Sequence, residues 1–193
     1  MKFLALIAST SAVASAAAIA PISARQDFEV VFPSHIIRRF IESGELVEEK
    51  PLAHSVVVKN GNAADEVSAI TTFDFDESTK GKKCQLHFEL QEGRDTSDGS
   101  ERMDIFIYKN LPGGAAPTKK TVSVKERDEH VGRIHAPLGE AGDDATWEQA
   151  YEGWPEIDCP AGETLGLEFV GVGDEINVKW TETKTGPSFR VLN

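Results

Sequence analysis

The stretch that decides the fold is Lys83-Cys84-Gln85-Leu86-His87-Phe88-Glu89-Leu90, in which apolar and polar residues alternate. A period of two places the apolar residues on one face of a β-strand. Cys159 follows Ile157 at the same alternate spacing and precedes the turn signal at 160–163. Both sulfurs should therefore face the interior of a β structure. Because Cys84 and Cys159 are the two cysteines of the chain, we expect them to form a disulfide.

The same period of two recurs along the rest of the chain. Alternating segments lie at 67–76, 103–107, 165–169 and 176–180, and further strand candidates lie at 28–32, 55–59, 121–125 and 189–192. Turn signals rich in glycine, proline, asparagine and aspartate separate them. About nine short strands in this order predict an all-β fold, an antiparallel β-sandwich with one or two short helices.

Residues 34–43 do not follow this alternation. Four apolar residues in this segment fall at helical spacing, with Ser34 as a possible N-cap and Gly44 as a stop. A short helix and an irregular edge strand are both compatible with the pattern.

The first residues of the chain predict export. A positive start at Met1-Lys2 precedes an apolar run and several Ala-x-Ala pairs, which is typical of a secretory signal peptide cleaved after Ala16 or Ala18. We therefore divide the chain into a signal peptide at 1–18, a mature linker at 19–27 and a single domain at 28–193. The mature protein should be secreted.

The charge of the chain excludes some partners. The formal net charge is −12 over 193 residues. Since lysine and arginine contacts to phosphate supply most of the affinity for nucleic acid and anionic lipid, neither is expected as a partner. The acidity itself indicates a soluble protein.

Common catalytic and metal-binding motifs are absent from the sequence. It contains no nucleophile elbow, phosphate-binding loop, Cys-x-x-Cys or His-Glu-x-x-His pattern, and its five histidines are scattered, so we expect no cofactor and no metal site. Asp74 and Asp76 are the most suggestive acidic pair, because two carboxylates on one strand face lie about 7 Å apart. That separation suits hydrolysis of a glycosidic bond, but a solvated strand face in so acidic a chain explains the pair better.

The most distinctive cluster of aromatic residues lies at 147–154. Trp147, Tyr151 and Trp154 fall at positions i, i+4 and i+7, which would stack them on one face of a helix. Rings interleaved with carboxylates could bind a sugar, so the three are candidate ligand-binding residues, with core packing as the alternative. We expect Trp154 to be packed and Trp147 to be at least half exposed.

Several of these segments together resemble a known family. The similarity rests on Phe32-Pro33-Ser34-His35, on Phe73-x-Phe75 with Gly81-Lys82-Lys83-Cys84-x-Leu86-x-Phe88, and on Asp158-Cys159-Pro160-Ala161-Gly162-Glu163. These stretches resemble the fungal But-two C-terminal domain, also called the ubiquitin-three-binding protein domain, from Phe32 to the end of the chain. The resemblance implies a secreted fungal β-sandwich associated with the cell surface or wall, and it brings no catalytic residues.

Two hypotheses about function follow. In the first, the protein is a non-catalytic secreted module that binds a cell-wall polysaccharide or a surface protein. In the second, it is a small hydrolase that acts on wall polysaccharide through Asp74 and Asp76. Because no complete catalytic constellation is present, the sequence favours the first.

Overall fold

The computed structural model describes residues 28–48, 54–108, 127–140, 143–181 and 185–192. The expected signal peptide at 1–18, the expected linker at 19–27 and the strand candidate at 121–125 lie outside the described residues. Over the described ranges, no helix has the length and hydropathy needed to cross a membrane.

Fourteen strands and one turn of 3₁₀ helix, Glu77–Thr79, make up the described fold. The strands of the first half are β1 (Glu29–Val31), β2 (His35–Phe40), β3 (Leu46–Glu48), β4 (His54–Lys59), β5 (Val67–Asp74), β6 (Lys83–Glu89) and β7 (Thr96–Gly99). The strands of the second half are β8 (Arg102–Tyr108), β9 (Arg127–His135), β10 (Thr146–Ala150), β11 (Glu156–Asp158), β12 (Thr164–Gly171), β13 (Ile176–Thr181) and β14 (Gly186–Leu192).

These strands form two sheets whose strand pairs are all antiparallel. The small sheet has the order β1-β14-β6-β11, and the large sheet has the order β10-β9-β8-β12-β5-β4-β13-β7, with β2 paired to β5 and β3 paired to β2. The all-β antiparallel sandwich is therefore confirmed. The expected count of nine strands is too low, because three-residue strands such as β3 and β11 are too short to show a period.

The main core lies between the two sheets. Phe88 and Phe189 of the small sheet contact Phe169, Trp180 and Phe73 of the large sheet, with ring centroids 5.0–5.4 Å apart in the closest pairs. The Phe73–Phe189 and Phe88–Trp180 contacts are edge-to-face, and such ring pairs add to the free energy of burying the rings. The alternation at 84–90 predicted the small sheet's share of this core correctly, since Cys84, Leu86, Phe88 and Leu90 are all buried.

The disulfide between Cys84 and Cys159 is present, as the sequence predicted. Cys84 lies on β6 opposite Ile157 of β11, and Cys159 follows two residues later, so the bond ties β6 to the end of an edge strand. Both residues are buried, and the amide of Cys159 also donates to the carbonyl of Lys82. The bond closes a separation of 75 residues.

Residues 35–40 form strand β2 rather than a helix. This strand pairs with β5 over its whole length and with β3 on its other edge. The consecutive residues Ile36 and Ile37 are both buried. A strand covered on both faces can bury neighbouring residues, and such a pair mimics helical spacing in the sequence.

Strand β5 is also covered on both faces. All of its residues from Val67 to Phe73 are buried, including the polar residues Ser68, Thr71 and Thr72. The face of β5 that carries Ser68 and Ile70 therefore does not meet solvent. That face belongs to the outer face of the large sheet, the one turned away from the small sheet.

Candidate functional site

Glu168 is a fully buried carboxylate on the outer face of the large sheet. It lies in the middle of β12, opposite Ile70 of β5 and Phe106 of β8. Its neighbours Leu167 and Phe169 point into the main core. Strand alternation thus forces Glu168 onto the other face, where burial demands partners for its charge.

Four side chains donate hydrogen bonds to Glu168. Arg127 makes a two-pronged contact, with Nε 2.8 Å from Oε2 and Nη2 2.7 Å from Oε1. The Tyr108 hydroxyl lies 2.6 Å from Oε2, the Ser68 hydroxyl donates to Oε1, and Nη1 of Arg39 lies 3.5 Å from Oε1. We call Arg39, Ser68, Tyr108, Arg127 and Glu168 the Glu168 cluster.

The Glu168 cluster changes the protonation equilibria of its members. Burial of the Tyr108 hydroxyl, together with the adjacent charge of Glu168, raises the pKa of Tyr108 far above its usual value. Burial alone would lower the pKa of Arg127, but its hydrogen bonds and charge interaction with Glu168 outweigh that effect and raise it. Tyr108 therefore stays a neutral donor and Arg127 stays a cation over the physiological range.

A row of rings continues from the cluster across the outer face. The Arg127 guanidinium lies 4.8 Å from the centre of the Phe106 ring, Phe106 stacks on His130 at 4.7 Å, and His130 meets Tyr151 at 5.1 Å. We call Phe106, His130 and Tyr151 the outer ring row. Tyr151, at its end, is 40% exposed.

Ion pairs border the outer ring row on strands β8, β9 and β10. Arg133 contacts Asp104 with two hydrogen bonds of 2.8 and 3.1 Å, and Arg102 contacts Glu148 at 2.7 and 2.9 Å. The hydrogen bond to Asp104 raises the pKa of Arg133. Gln149 donates to the Tyr151 hydroxyl at 2.7 Å. The result is a surface of rings and paired charges of both signs.

The predicted helix around Trp147, Tyr151 and Trp154 is wrong. Residues 146–150 form strand β10, so the spacing i, i+4, i+7 does not bring the rings together. Trp147 lies opposite Ile134 and packs, partly buried, against the main core, and Trp154 packs there beside Phe189. Trp154 is thus packed as expected, whereas the expectation of a half-exposed Trp147 is wrong.

Only Tyr151 of these three aromatic residues reaches the outer face. A bulge in β10 between Trp147 and Gln149 shifts its register against β9 and separates Tyr151 from the face on which Trp147 packs. Gly132 of β9 makes room for this bulge, because a Cβ atom there would lie 2.3 Å from the Gln149 carbonyl and 2.8 Å from the Trp147 ring. A ligand-binding role for the three residues stays a prediction.

Asp74 and Asp76 each accept a local hydrogen bond. Asp74 is the last residue of β5 and accepts a hydrogen bond from Thr164. Asp76 is the N-cap of the 3₁₀ turn and accepts from the Ser78 amide at 2.8 Å. Asp76 lies beyond the end of β5 in an extended conformation, and both aspartates are exposed with Phe75 buried between them, so their role as a hydrolytic pair stays a prediction.

The hydrogen bonds from Ser78 lower the pKa of the Asp76 carboxyl below its usual value of 3.8. A general acid for hydrolysis requires the opposite shift. Within the described residues, no group of three or more histidine, cysteine, aspartate or glutamate side chains could hold a metal ion. The four histidines with described side chains each face a different carboxylate.

Sequence reasoning missed the Glu168 cluster. A usable signal exists at 68–72, where β5 carries no charged residue on either face although 27% of the chain is charged. Such a strand is buried on both sides, so its neighbours on the outer face must be buried as well. Which residues contact Glu168 depends on the order of the strands in the sheet, and the alternation of apolar and polar residues does not specify that order.

Comparison with known proteins identifies a family. The model of the Ubiquitin 3 binding protein But2 C-terminal domain matches residues 45–185, which is more than half of the chain. This family is not a known family of enzymes. No curated protein matches the chain significantly.

Proposed function

The chain belongs to the But2 C-terminal domain family, and from this membership and the outer face of the large sheet we propose that it is a secreted, non-catalytic binding module of the fungal cell surface or wall. The outer ring row and its bordering ion pairs form the binding surface. The partner is a protein exposed at the cell surface, with wall polysaccharide as the second candidate.

The observation that carries this proposal is the outer ring row. Tyr151 is exposed at one end, and Arg133, held by Asp104, interacts with it through its charge. Tyrosine and arginine are enriched among the residues that dominate protein interfaces. The Glu168 cluster lies beneath the other end of the row and holds Arg127 against Phe106. A surface ordered before binding loses less entropy on binding.

The ring contacts favour a protein over a polysaccharide. A sugar platform needs ring faces that are free to pack on apolar sugar faces. Phe106 already stacks on His130 and contacts the Arg127 guanidinium, so its ring is occupied. Tyr151 is the exposed ring of the row, and a single ring makes a small platform.

The hydrolase hypothesis has less support. Asp76 caps the 3₁₀ turn, and its lowered pKa opposes proton donation. The family name refers to ubiquitin, a cytosolic protein that a secreted domain would not meet. We therefore place the partner outside the cell.

Two features support a secreted location. The disulfide between Cys84 and Cys159 suits a compartment in which disulfides persist. Residues 1–18 have the composition of a signal peptide. Sequencing the amino terminus of protein recovered from culture medium tests both at once, and we expect the mature chain to begin at residue 17 or 19. Recovery of the chain only inside cells would contradict the proposal.

A retention assay on isolated fungal cell walls tests the binding surface. The double substitution Tyr151→Ala and His130→Ala should reduce retention at least about tenfold, which is the loss expected for one interface anchor. Phe32→Ala is the matched control, since Phe32 is 53% exposed but precedes β2 and lies outside the ring row. Equal retention of the double variant and the wild type would contradict the assigned surface.

The same assay separates the two kinds of partner. Walls treated with protease should lose their capacity to retain the protein, and purified chitin or β-glucan should retain none. Retention on the purified polysaccharides that also depends on Tyr151 would replace the protein partner with the polysaccharide. Release of soluble sugar from those polysaccharides would overturn the non-catalytic assignment.

A further inference from the structure

A cavity of about 230 Å³ opens where two strands separate from β5. Strand β12 pairs with β5 from Asp74 to Ala69, and β2 pairs with the opposite edge of β5. Strand β4 pairs with β5 at Val67, on the same edge as β12. The cavity lies in the fork between β12 and β4. Its lining includes Arg39, Lys59, Glu66, Ser68 and Arg127.

Arg39 lines this cavity with unused hydrogen-bond donors. It is 6% exposed, and its Nη1 donates to the Tyr108 hydroxyl at 2.9 Å and reaches Glu168 at 3.5 Å. Within the described part of the chain, its Nε and Nη2 donate to no acceptor. A guanidinium carries five N–H groups, and no Arg39 atom is among the buried side-chain atoms that lack a partner in the described residues, so its unused donors reach the open cavity and are free for an acceptor there.

The charges around the cavity favour an anion. Arg39, Arg127 and Lys59 supply three positive charges, and Glu168 and Glu66 supply two negative ones, so the sum is +1. The whole chain has a net charge of −12, so a site with positive net charge stands out. An acid that enters here meets cations instead of the repulsion it meets elsewhere on the surface.

The remaining walls are apolar. Ile41, Val58, Val67 and Val170 face the same cavity as Arg39. A ligand that satisfies both parts carries one carboxylate on a compact apolar body. A planar guanidinium binds a carboxylate well because two N–H groups can donate to its two oxygens.

We propose that this cavity binds the carboxylate of a compact apolar acid through Arg39, either as a free acid or as the C-terminal residue of a peptide. The site is separate from the outer ring row and does not depend on the partner proposed for it. The Glu168 cluster holds Arg39 in place through Tyr108 and leaves the other donors of Arg39 to the ligand.

Titration of the full secreted chain with N-acetyl-leucine, followed by nuclear magnetic resonance of its backbone amides, tests the proposal. Saturable shifts should appear at Ser68, Val170 and Gly171. N-acetyl-leucinamide has the same body without the charge and should bind at least about tenfold more weakly, since each charge-assisted hydrogen bond contributes about that factor. Absence of shifts with up to about 10 mM acid, or equal binding of the amide, would overturn the proposal.

Two substitutions locate the binding. Val58→Phe places a larger side chain in the cavity from β4, replaces no member of the Glu168 cluster and should weaken binding at least about tenfold, while Arg39→Lys keeps the charge but loses the planar fork. Val30→Phe on β1 is the matched control, because Val30 lies in the other sheet. If Val58→Phe binds the acid as the wild type does, the cavity is not the site.

A short peptide with a free C-terminal leucine, compared with its C-terminal amide, separates the two ligand sources. Binding of both N-acetyl-leucine and the free-acid peptide supports a site that reads polypeptide C-termini. Binding of N-acetyl-leucine alone supports a free acid as the ligand. Binding of neither probe contradicts the proposal.

Discussion

The space between the two sheets and the outer face of the large sheet are both buried, but by different chemistry. Between the sheets, residues such as Phe73, Phe169 and Trp180 are fully buried and contact other apolar side chains. On the outer face, Glu168 and Tyr108 are equally buried and are held by hydrogen bonds and charge. An apolar core tolerates substitutions of similar volume, whereas a buried charge network fails when one member is lost. The two regions should therefore respond differently to mutation.

The largest expected effect lies in the space between the sheets. Replacing both Cys84 and Cys159 with alanine removes the bond that closes 75 residues and should lower the free energy of unfolding by about 4.5 kcal/mol, through the greater entropy of the unfolded chain. Guanidinium unfolding measures the change. Alkylation of the unreduced wild type, followed by mass spectrometry, is the control and should find no free thiol. A loss below about 1 kcal/mol would show that packing alone holds this region.

The strongest test of the outer face is Glu168→Gln. The substitution keeps the size of the side chain but leaves Arg127 and Arg39 without their carboxylate, so the free energy of unfolding should fall by about 3 kcal/mol. Glu148→Gln is the matched control because its partner Arg102 lies near the surface, and it should cost less than about 1 kcal/mol. If the two variants unfold alike in denaturant, the outer face is not held by charge.

Trp154 and Tyr151 lie three residues apart in the sequence, but Trp154 packs against the core between the sheets and Tyr151 lies on the outer face. Trp154→Ala removes a ring packed beside Phe189 and should cost about 2 to 3 kcal/mol, less than a fully buried ring. Tyr151→Ala removes an exposed ring and should change stability by less than about 0.5 kcal/mol. Thermal unfolding of the two variants in parallel provides the measurement. Equal losses would mean that Tyr151 supports the core rather than the binding surface.

The smallest expected effect concerns Asp76, which lies outside both regions. Its pKa in the folded protein lies below its usual value of 3.8, so the carboxylate stabilises the fold above that pH. This contribution is lost as the pH falls below about 4, through the folded pKa. Asp76→Asn should therefore melt at a lower temperature than the wild type near neutral pH and approach it in acid. Asp174→Asn, in an exposed turn, controls for the loss of one surface charge, and an identical pH profile in both variants would contradict the capping role.

Regions covered on one face could be read from the alternation of residues, and regions covered on both faces could not. The segment 84–90 was predicted as a strand with its apolar face inward, and β6 confirms it. Residues 34–43 stayed ambiguous because Ile36 and Ile37 are buried on opposite faces of β2. At 147–154, three aromatic residues at helical spacing predicted a helix, but pairing with β9 places Trp147 on β10, and Tyr151 and Trp154 follow that strand. Local spacing cannot report a strand partner that is distant in the sequence.

The sequence by itself determined the all-β class, the interior position of Cys84 and Cys159 and their bond, because alternation and two inward cysteines are local facts. Only the tertiary structure decided which face of β5 and β12 would be covered, and hence that Glu168 would be buried. Arg39 reaches Glu168 across 129 positions of the chain and Ser68 across 100. Such contacts follow from the order of strands in the sheet, in which β2 and β12 flank β5. Strand order is set by the packing of the whole chain, and no single segment encodes it.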